Sequence, residues 1–376
     1  MNSLRDNRQY LLPSGLAVAI AGVLASPILY AQEANITELD AIEVSADAAE
    51  PSGTAPSDGY TAEATVTGTK TTTNVVETPQ SISTVTADQI EDQNAANLGE
   101  VLRYTAGARG ETFGFEPRTT FLRIRGFDVA TSGLFRDNLK LANPGFAAGY
   151  SLEPYGAERI DVLKGPSSVL YGQAGPGGLV NYVSKRPTFD TRREVRVEAG
   201  TNDLVQGQFD ISGAVNDSDT LAVRLVGLVR DSETQVDFVN DDRKYLAPSL
   251  TWQPTDATRL TVLAHWQYDD TQPSQRYPLQ GTLEPNPNGP IPDNRFTGEP
   301  GYDAYERRES AIGYEFEHRI NDQIVLRQNV RDYRNDVDDQ TIYTTGLLAD
   351  QRTITRSRFD SFGRIDGLVM DNQLQL

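Results

Sequence analysis

One stretch decides how this chain folds: Leu163-Lys164-Gly165-Pro166-Ser167-Ser168-Val169-Leu170-Tyr171-Gly172-Gln173-Ala174-Gly175-Pro176-Gly177-Gly178-Leu179-Val180-Asn181. A strand-like run at residues 158–163 precedes it, and a second strand-like run ends at Val183. The prolines fix the direction of the turns between them, and the glycines permit positive φ and close backbone approach. The pattern indicates tight turns in an α/β domain. The alternative is a phosphate-binding loop, which needs Gly-Lys-Ser/Thr at a helix start, whereas Gly178 precedes an apolar pair.

Three further motifs flank this stretch along the chain. They lie at residues 76–86, at residues 122–127 with the core Ile-Arg-Gly-Phe, and at residues 180–187. In this order and spacing the four motifs resemble the plug domain of TonB-dependent outer-membrane receptors, and they are most similar to ferrichrome-type siderophore receptors. The similarity continues to the last residue. It implies an α/β plug domain inside a transmembrane antiparallel β-barrel.

Residues 1–31 have the pattern of a secretory signal peptide. Arg5 and Arg8 supply a basic start, an apolar stretch follows, and Ala31 ends a plausible cleavage site. The alternative is a membrane-spanning helix, which needs about 20 apolar residues, and this run is too short. We therefore expect export followed by cleavage.

Composition excludes several classes of function. The formal net charge of −19 argues against nucleic-acid binding, because phosphate contacts need a basic face. The chain has no cysteine, and its two histidines, His265 and His318, are far apart in sequence. No Gly-x-Ser-x-Gly nucleophile elbow is present. We predict that the protein is not an enzyme and holds no metal site or cofactor of its own.

The predicted arm, residues 32–59, contains one short strand-like pattern. It is followed by a disorder-prone segment, so an isolated strand here is a candidate for strand addition onto a partner. Its core, Asp40-Ala41-Ile42-Glu43-Val44, resembles the TonB box and implies TonB as a partner. The alternative is an ordinary exposed arm. The few residues between Gln32 and the box leave no room for the extra periplasmic domain of signal-transducing relatives.

Residues 60–187 are expected to form the plug. Residues 81–85 alternate as a strand, and Thr86 is a candidate N-cap for a helix that runs through Ile90. Residues 98–104 carry an apolar face at helical spacing and predict a second helix.

Three plug loops, residues 109–120, 128–133 and 143–150, would by resemblance point to the extracellular vestibule. Their aromatic side chains are candidate ligand contacts: Phe113, Phe115, Phe146 and Tyr150. The alternative is that each packs within its own domain, and the sequence leaves both possibilities open. Phe113 falls near the position where the ferrichrome receptor has a ligand-binding arginine, so ferrichrome itself is not implied as the ligand.

Residues 188–376 predict the first part of the barrel. Apolar side chains recur at every second position, for example Leu260, Val262 and Ala264, which is typical of outer-membrane strands. A soluble β-sandwich is the alternative, and the export signal and plug motifs favour the barrel. We count about eight such strands by alternation.

Two long polar segments in the barrel region predict extracellular loops, at residues 270–309 and 335–357. Tyr277 and Tyr343 lie in them and are candidate ligand-facing aromatics.

The barrel is expected to be incomplete in this chain. Plugged outer-membrane transporters have about 22 strands, so the sequence resembles the N-terminal portion of a receptor, with an open sheet. Arg125 and Lys164 lie in two plug motifs. The resemblance implies that they form a plug–barrel lock with carboxylates of later strands, so we expect them to fall short of those partners here.

Together these features predict a monomeric receptor of the Gram-negative outer membrane that takes up a ferric siderophore. The iron would arrive as a chelate, so no protein metal ligands are needed. The implied partners are the siderophore, TonB and outer-membrane lipid. Haem or cobalamin uptake by the same architecture is one alternative. A passive porin is another, although it would need neither a plug nor a TonB box.

The Ile42→Pro variant should abolish energised uptake and leave ligand binding intact. Strand addition uses main-chain N–H groups, and proline removes one of them. Uptake of iron-55 and binding of the chelate at the cell surface would be measured together, with Ala48→Pro in the flanking segment as the control. Normal uptake by the Ile42→Pro variant would remove residues 40–44 from the mechanism.

Overall fold

The computed structural model describes residues 53–145, 148–215, 220–273 and 276–376. Within these ranges, ten short strands and three short helices precede a large sheet. They are β1 (Ala64–Thr65), β2 (Thr73–Asn74), β3 (Ser81–Thr86), α1 (Ala87–Asp92), α2 (Leu98–Val101), β4 (Ala108–Arg109), β5 (Arg123–Ile124), β6 (Phe127–Asp128), β7 (Leu134–Arg136), β8 (Leu139–Lys140), β9 (Ala157–Lys164), α3 (Ser168–Tyr171) and β10 (Gly178–Ser184). Single 3₁₀ turns lie at Val75–Glu77 and Pro154–Gly156.

The centre of the plug is a five-stranded sheet in the order β3-β9-β10-β7-β8. Its pairs are antiparallel except for β10 with β7. One face buries a hydrophobic cluster that includes Ile160, Val162 and Val180, with Leu98 and Val101 of α2 packed against them. Apolar burial of this kind is the main contribution to the stability of a small domain.

The capping residues explain where the two predicted helices, α1 and α2, begin. Thr86 Oγ1 accepts a hydrogen bond from the Gln89 amide at 3.3 Å, which confirms the predicted N-cap of α1. Asn97 caps α2 in the same way. The second helix is shorter than predicted, because the backbone leaves the helical region at Leu102, where φ is −89° and ψ is 2°.

The stretch that opened the sequence analysis forms β9, the turns and β10. Leu163 lies opposite Leu179 in the antiparallel register. At the start of β10, Gly178 has φ +129°, and a Cβ atom there would overlap the carbonyl oxygen of Leu163. Only glycine therefore permits this close turn.

The remaining strands form one antiparallel sheet of eight strands in sequence order. They are β11 (Arg192–Ala199), β12 (Val205–Ala214), β13 (Leu221–Asp231), β14 (Asp241–Thr255), β15 (Thr258–Thr271), β16 (Ala304–Asn321), β17 (Ile324–Leu347) and β18 (Ile354–Gln375). The count agrees with the predicted eight. Within the described chain β11 and β18 are its two edges, so the sheet is an open part of a barrel.

Side chains alternate between the two faces of this sheet, as predicted. On β16, Ile312 points outward with 59% of its surface exposed, while Arg307 and Glu309 are buried against the plug. Trp266 of β15 also lies on the outer face. No helix within the described ranges is long and apolar enough to cross a membrane.

The two long loops are shorter than the sequence pattern suggested. β15 continues to Thr271 and β16 begins at Ala304, so the first loop spans residues 272–303. The second spans only residues 348–353, and Tyr343 lies on β17 rather than in a loop. A strand needs about 9–11 residues to cross a bilayer, and β17 and β18 are much longer. The parts of β17 and β18 beyond this length are polar, so the sequence pattern indicates a loop there. In the structure they pair with each other as strands.

The Gly178→Ala variant should destabilise the plug by about 1–3 kcal/mol, because alanine is strained at this φ and would overlap the carbonyl oxygen of Leu163. The measurement is the free energy of unfolding from a urea titration of the purified protein. Gly207→Ala is the matched control, since a Cβ there meets no atom within 4 Å. Equal stability of the two variants would contradict this account.

Candidate functional site

The plug meets the barrel wall through buried and half-buried charged side chains, which we call the plug–wall network. On the plug side it consists of Asp137, Glu153, Glu158, Lys185 and Arg186. On the wall it consists of Asp210, Arg224, Arg243, Asp269, Arg307, Glu315 and Arg331.

Asp137, in the turn between β7 and β8, is the centre of one part of the network. Its carboxylate accepts hydrogen bonds from Arg331 Nη2 at 2.6 Å and from Arg186 Nη2 at 3.3 Å. It also accepts the Ser184 amide at 2.8 Å. Burial alone would raise the pKa of Asp137, but the positive charges of Arg186 and Arg331 outweigh burial and lower it to about 2.

Asp210 of β12 is the centre of a second part. Arg224 binds it with both Nε (2.8 Å) and Nη2 (2.6 Å), the two-point geometry that favours strong pairs. Lys185 Nζ lies 3.0 Å from the same carboxylate. Arg224 also donates to the carbonyl oxygen of Arg186 at 2.8 Å. The last residues of the plug are thereby fixed to the wall.

The third part lies closer to the long loops. Arg243 donates to Glu153 of the plug at 2.9 Å and to Asp269 at 2.6 Å. Arg307 shares Asp269 through its Nε at 2.8 Å and donates through Nη1 to the carbonyl oxygen of Arg118 at 2.5 Å. Breaking a buried pair of this kind costs more than the pair contributes, because the remaining charge is left without compensation.

Sequence reasoning missed this network. The sequence did contain a sign of it. Arg224, Arg243 and Arg307 lie at the alternate positions of their strands whose side chains face the lumen. Charges in the lumen-facing phase, opposite a plug, predict ionic contacts. Which pairs form depends on the register of partners up to 194 positions apart, and no local pattern shows that.

The predicted ligand aromatics of the plug divide into two environments. Phe113 is 70% exposed and packs edge-to-face on Phe121, with ring centroids 5.1 Å apart, and Phe115 is half-buried. Their loop lies at the end of the barrel that carries the long connections, because Arg118 lies 3.6 Å from Asp339 near the end of β17.

Tyr150 lies instead in the hydrophobic cluster of the plug, with 0% of its surface exposed. Its ring is 6.4 Å from that of Tyr333 on β17. Of the two alternatives left open for it, the structure shows packing within the fold. Phe146 and the predicted TonB box, Asp40, Ala41, Ile42, Glu43 and Val44, lie outside the described residues.

The two barrel tyrosines also differ. The Tyr277 hydroxyl donates to the carbonyl oxygens of Asp293 (3.1 Å) and Arg295 (2.6 Å), so it stabilises the long loop itself. Tyr343 is half-buried on β17, and the Arg276 guanidinium lies 5.0 Å from its ring centroid.

Arg125 and Lys164 are on the plug and have no ion pair with any described residue. Arg125 is exposed, with φ +51°. Lys164 donates to Ser83 Oγ at 2.8 Å, and its pKa is lowered by burial and by the charge of Arg125. Their role in a plug–barrel lock stays a prediction.

An α/β plug joined by buried charges to a curved antiparallel wall is the architecture of plugged outer-membrane receptors. The family described as TonB-dependent Receptor Plug Domain matches residues 74–179. The plug of this chain is therefore a plug domain of the TonB-dependent receptors, a family of the Gram-negative outer membrane.

Relatives of known function are similar over most of the chain. It is 37% identical over 344 residues to the ferrichrome outer membrane transporter/phage receptor of Escherichia coli (strain K12), covering 89% of this chain and 45% of that protein. It is 35% identical over 309 residues to the ferrioxamine B receptor of Salmonella typhimurium (strain SL1344), covering 81% and 44%. The chain thus spans about half the length of the curated relatives it matches.

Solved structures share the fold. The ferric-catecholate import receptor of E. coli K12 in its open form superposes with a TM-score of 0.70 at 23% identity, covering 80% of this chain and 47% of that one. The ferripyoverdine receptor of Pseudomonas aeruginosa gives 0.72 at 22% identity, covering 84% and 41%.

The Asp137→Asn variant should lower the free energy of unfolding by about 3–5 kcal/mol at pH 7, because two buried arginines lose a shared carboxylate. Since the folded pKa is depressed to about 2, the carboxylate's contribution is fully present above about pH 4 and is lost as the pH falls towards 2. Urea titrations of the purified protein at several pH values would measure both effects, and the variant should lose this acid-dependent component.

Asp336→Asn is the matched control. Asp336 also pairs with two arginines, Arg334 and Arg364, but these lie on the exposed outer face. Exposed pairs are worth about 0–1 kcal/mol. An equal loss of stability in both variants would show that burial does not set the strength of the network.

Proposed function

We propose that this protein takes up a ferric siderophore across the outer membrane and that TonB supplies the energy. The observation that supports this most directly is the plug itself. Its buried charges are matched to lumen-facing charges of the wall, as Asp137 is to Arg331 and Glu153 to Arg243. A passive porin has a water-filled lumen, so the matched plug favours transport that requires a conformational change.

The iron is proposed to be cargo, carried in its chelate. Within the described ranges no group of three or more His, Asp or Glu side chains could hold a metal ion. The protein would then recognise the organic shell of the chelate. Relatives of this chain include receptors for ferrichrome and ferrioxamine B, which supports this class of cargo.

The proposed binding face is the plug apex together with the adjacent wall. Phe113 offers an exposed aromatic surface supported by Phe121, and Tyr343 offers a second beside Arg276. Phe115 and Phe146 stay candidates on the same plug loops. Aromatic rings suit a concave site that desolvates a compact ligand.

Energy coupling is proposed to act through the arm. Residues 40–44 would add a strand to TonB, and Arg125 and Lys164 would lock the plug to carboxylates of the assembled barrel. The proposed division of the chain is a signal peptide at 1–31, an arm at 32–59, a plug at 60–187 and barrel strands at 188–376. The receptor is proposed to act as a monomer surrounded by outer-membrane lipid.

The Phe113→Ala variant should weaken binding of a ferric siderophore about tenfold, because it removes an exposed ring at the plug apex. Calorimetric titration of the complete protein with ferric trihydroxamate, ferric catecholate and haem would measure it. Fluorescence quenching is less suitable, since the two tryptophans of this sequence, Trp252 and Trp266, lie on the outer face of the sheet.

Phe238→Ala is the control, because Phe238 is an exposed loop aromatic that packs on Phe296, 5.8 Å away, outside the plug. It should bind as the unchanged protein does. Tight binding of haem, with equally weak responses to all ferric siderophores, would overturn the proposed cargo.

A further inference from the structure

A short segment at the start of the plug, residues 64–67, covers a buried carboxylate. The segment comprises β1 and the two residues after it, and Thr65 and Thr67 are wholly buried. Beneath it lies Asp161 of β9, with 0% of its surface exposed. Asp161 Oδ2 accepts hydrogen bonds from Thr65 Oγ1 at 2.8 Å and from Thr67 Oγ1 at 2.6 Å.

A third hydroxyl completes the shell of this carboxylate. Thr84 of β3 donates to Asp161 Oδ1 at 2.8 Å. Thr84 and Asp161 face each other in the plug sheet, whereas Thr65 and Thr67 lie outside that sheet. Two of the three hydroxyl donors would therefore leave if the segment left.

The segment is also held by β10 and by the helix α3 that precedes it. Asn181 Nδ2 donates to Thr67 Oγ1 at 2.9 Å, and the Tyr171 hydroxyl donates to the carbonyl oxygen of Thr67 at 2.8 Å. Thr67 is thereby bound through its side chain and its main chain. These contacts place the segment firmly although it contributes only two residues to a strand pair.

The cation beside this carboxylate, the guanidinium group of Arg159, is incompletely hydrogen-bonded. Arg159 is 1% exposed, and its Nε lies 3.6 Å from Asp161 Oδ1. Within the described part of the chain, Nε and Nη2 of Arg159 have no hydrogen-bond partner. A buried cation without full hydrogen bonding is costly. Exposure of this face to water would hydrate both groups, which offsets part of the loss of the threonine hydrogen bonds.

The position of the segment in the chain links it to the arm. Upstream, Gly59 and Tyr60 contact Asp88 and Asp92, and these hydrogen bonds are exposed to water. From residue 53 onward, where the structure describes the chain, the hydrogen bonds to Asp161 are the first fully buried side-chain hydrogen bonds that tension from the arm would meet. Further along the chain, Lys70 forms a partly buried ion pair with Asp371 at 2.5 Å, near the short-turn end of β18.

We propose that Asp161 is the positioning residue for the coupling segment of this receptor. Its hydrogen bonds with Thr65 and Thr67 hold residues 64–67 on the plug, and among the described residues they are the first buried contacts that a pull on the arm releases. This inference rests on the proposed function for the origin of the pull. The docking itself is a property of the resting protein and is tested without cargo or partner.

The test uses a thiol placed within the segment itself. Ala64→Cys places a thiol at a position that is 3% exposed, in a chain that otherwise has no cysteine. Its rate of reaction with a maleimide would be measured on the complete protein in outer-membrane vesicles, without siderophore or TonB. Adding Thr65→Val with Thr67→Val, or adding Asp161→Asn, should speed labelling about tenfold, because hydrogen bonds to a charged acceptor are lost.

Two further variants separate positioning from general stability. Thr84→Val removes the third hydroxyl from Asp161 but no contact of the segment, and it should label at nearly the original rate. Thr67→Ser, with Thr65 unchanged, keeps a hydroxyl at position 67. This variant should label slowly, unlike the Thr65→Val, Thr67→Val protein. The thermal midpoint of the barrel should be unchanged in the threonine variants, since their lost contacts lie within the plug.

Unchanged labelling in the Thr65→Val, Thr67→Val protein would overturn the proposal, and so would equal acceleration by Thr84→Val. The threonine variants keep the proposal testable even if Asp161→Asn fails to fold. Loss of siderophore binding with the labelling pattern intact would instead count against the proposed function alone.

Discussion

The organisation of this protein depends on the cost of removing charge from water. A guanidinium group that points into the barrel lumen beside a plug must find a carboxylate or a carbonyl oxygen there, because the desolvation penalty is several kcal/mol per ion. Asp269 satisfies Arg243 and Arg307 together, and Glu153 of the plug completes the set. The wall and the plug therefore each supply charges that the other needs, and the register of one constrains the position of the other.

Much of the fold was predictable from local sequence. Glycine at position 178 indicates a turn that no other residue permits, and alternation with a period of two indicates strands whose outward side chains are apolar. The lengths of β17 and β18 were not predictable in this way. Their ends extend beyond what a bilayer requires, and polar residues there are stabilised by cross-strand pairing that a single strand does not reveal.

The candidate site was less predictable than the fold. Phe113 and Tyr150 are both aromatic residues of glycine-rich plug loops, and nothing near them in sequence separates their roles. The structure separates them because Tyr150 meets Tyr333, which comes 183 positions later on β17, while Phe113 meets only its neighbour Phe121 among the described ring pairs. Contacts between residues far apart in the sequence decide which ring is buried, and local composition does not reveal those contacts.

The plug is attached in two chemically different ways. Towards the wall, Arg224 and Arg331 are bound by carboxylates and carbonyl oxygens, so separation would leave several buried charges without partners. Towards the arm, residues 64–67 are held mainly by hydroxyl and amide hydrogen bonds, and Arg159 beneath them is incompletely satisfied. Local opening follows the weakest cooperative unit of a fold. Tension on the arm should therefore free this segment long before it separates the plug from the wall.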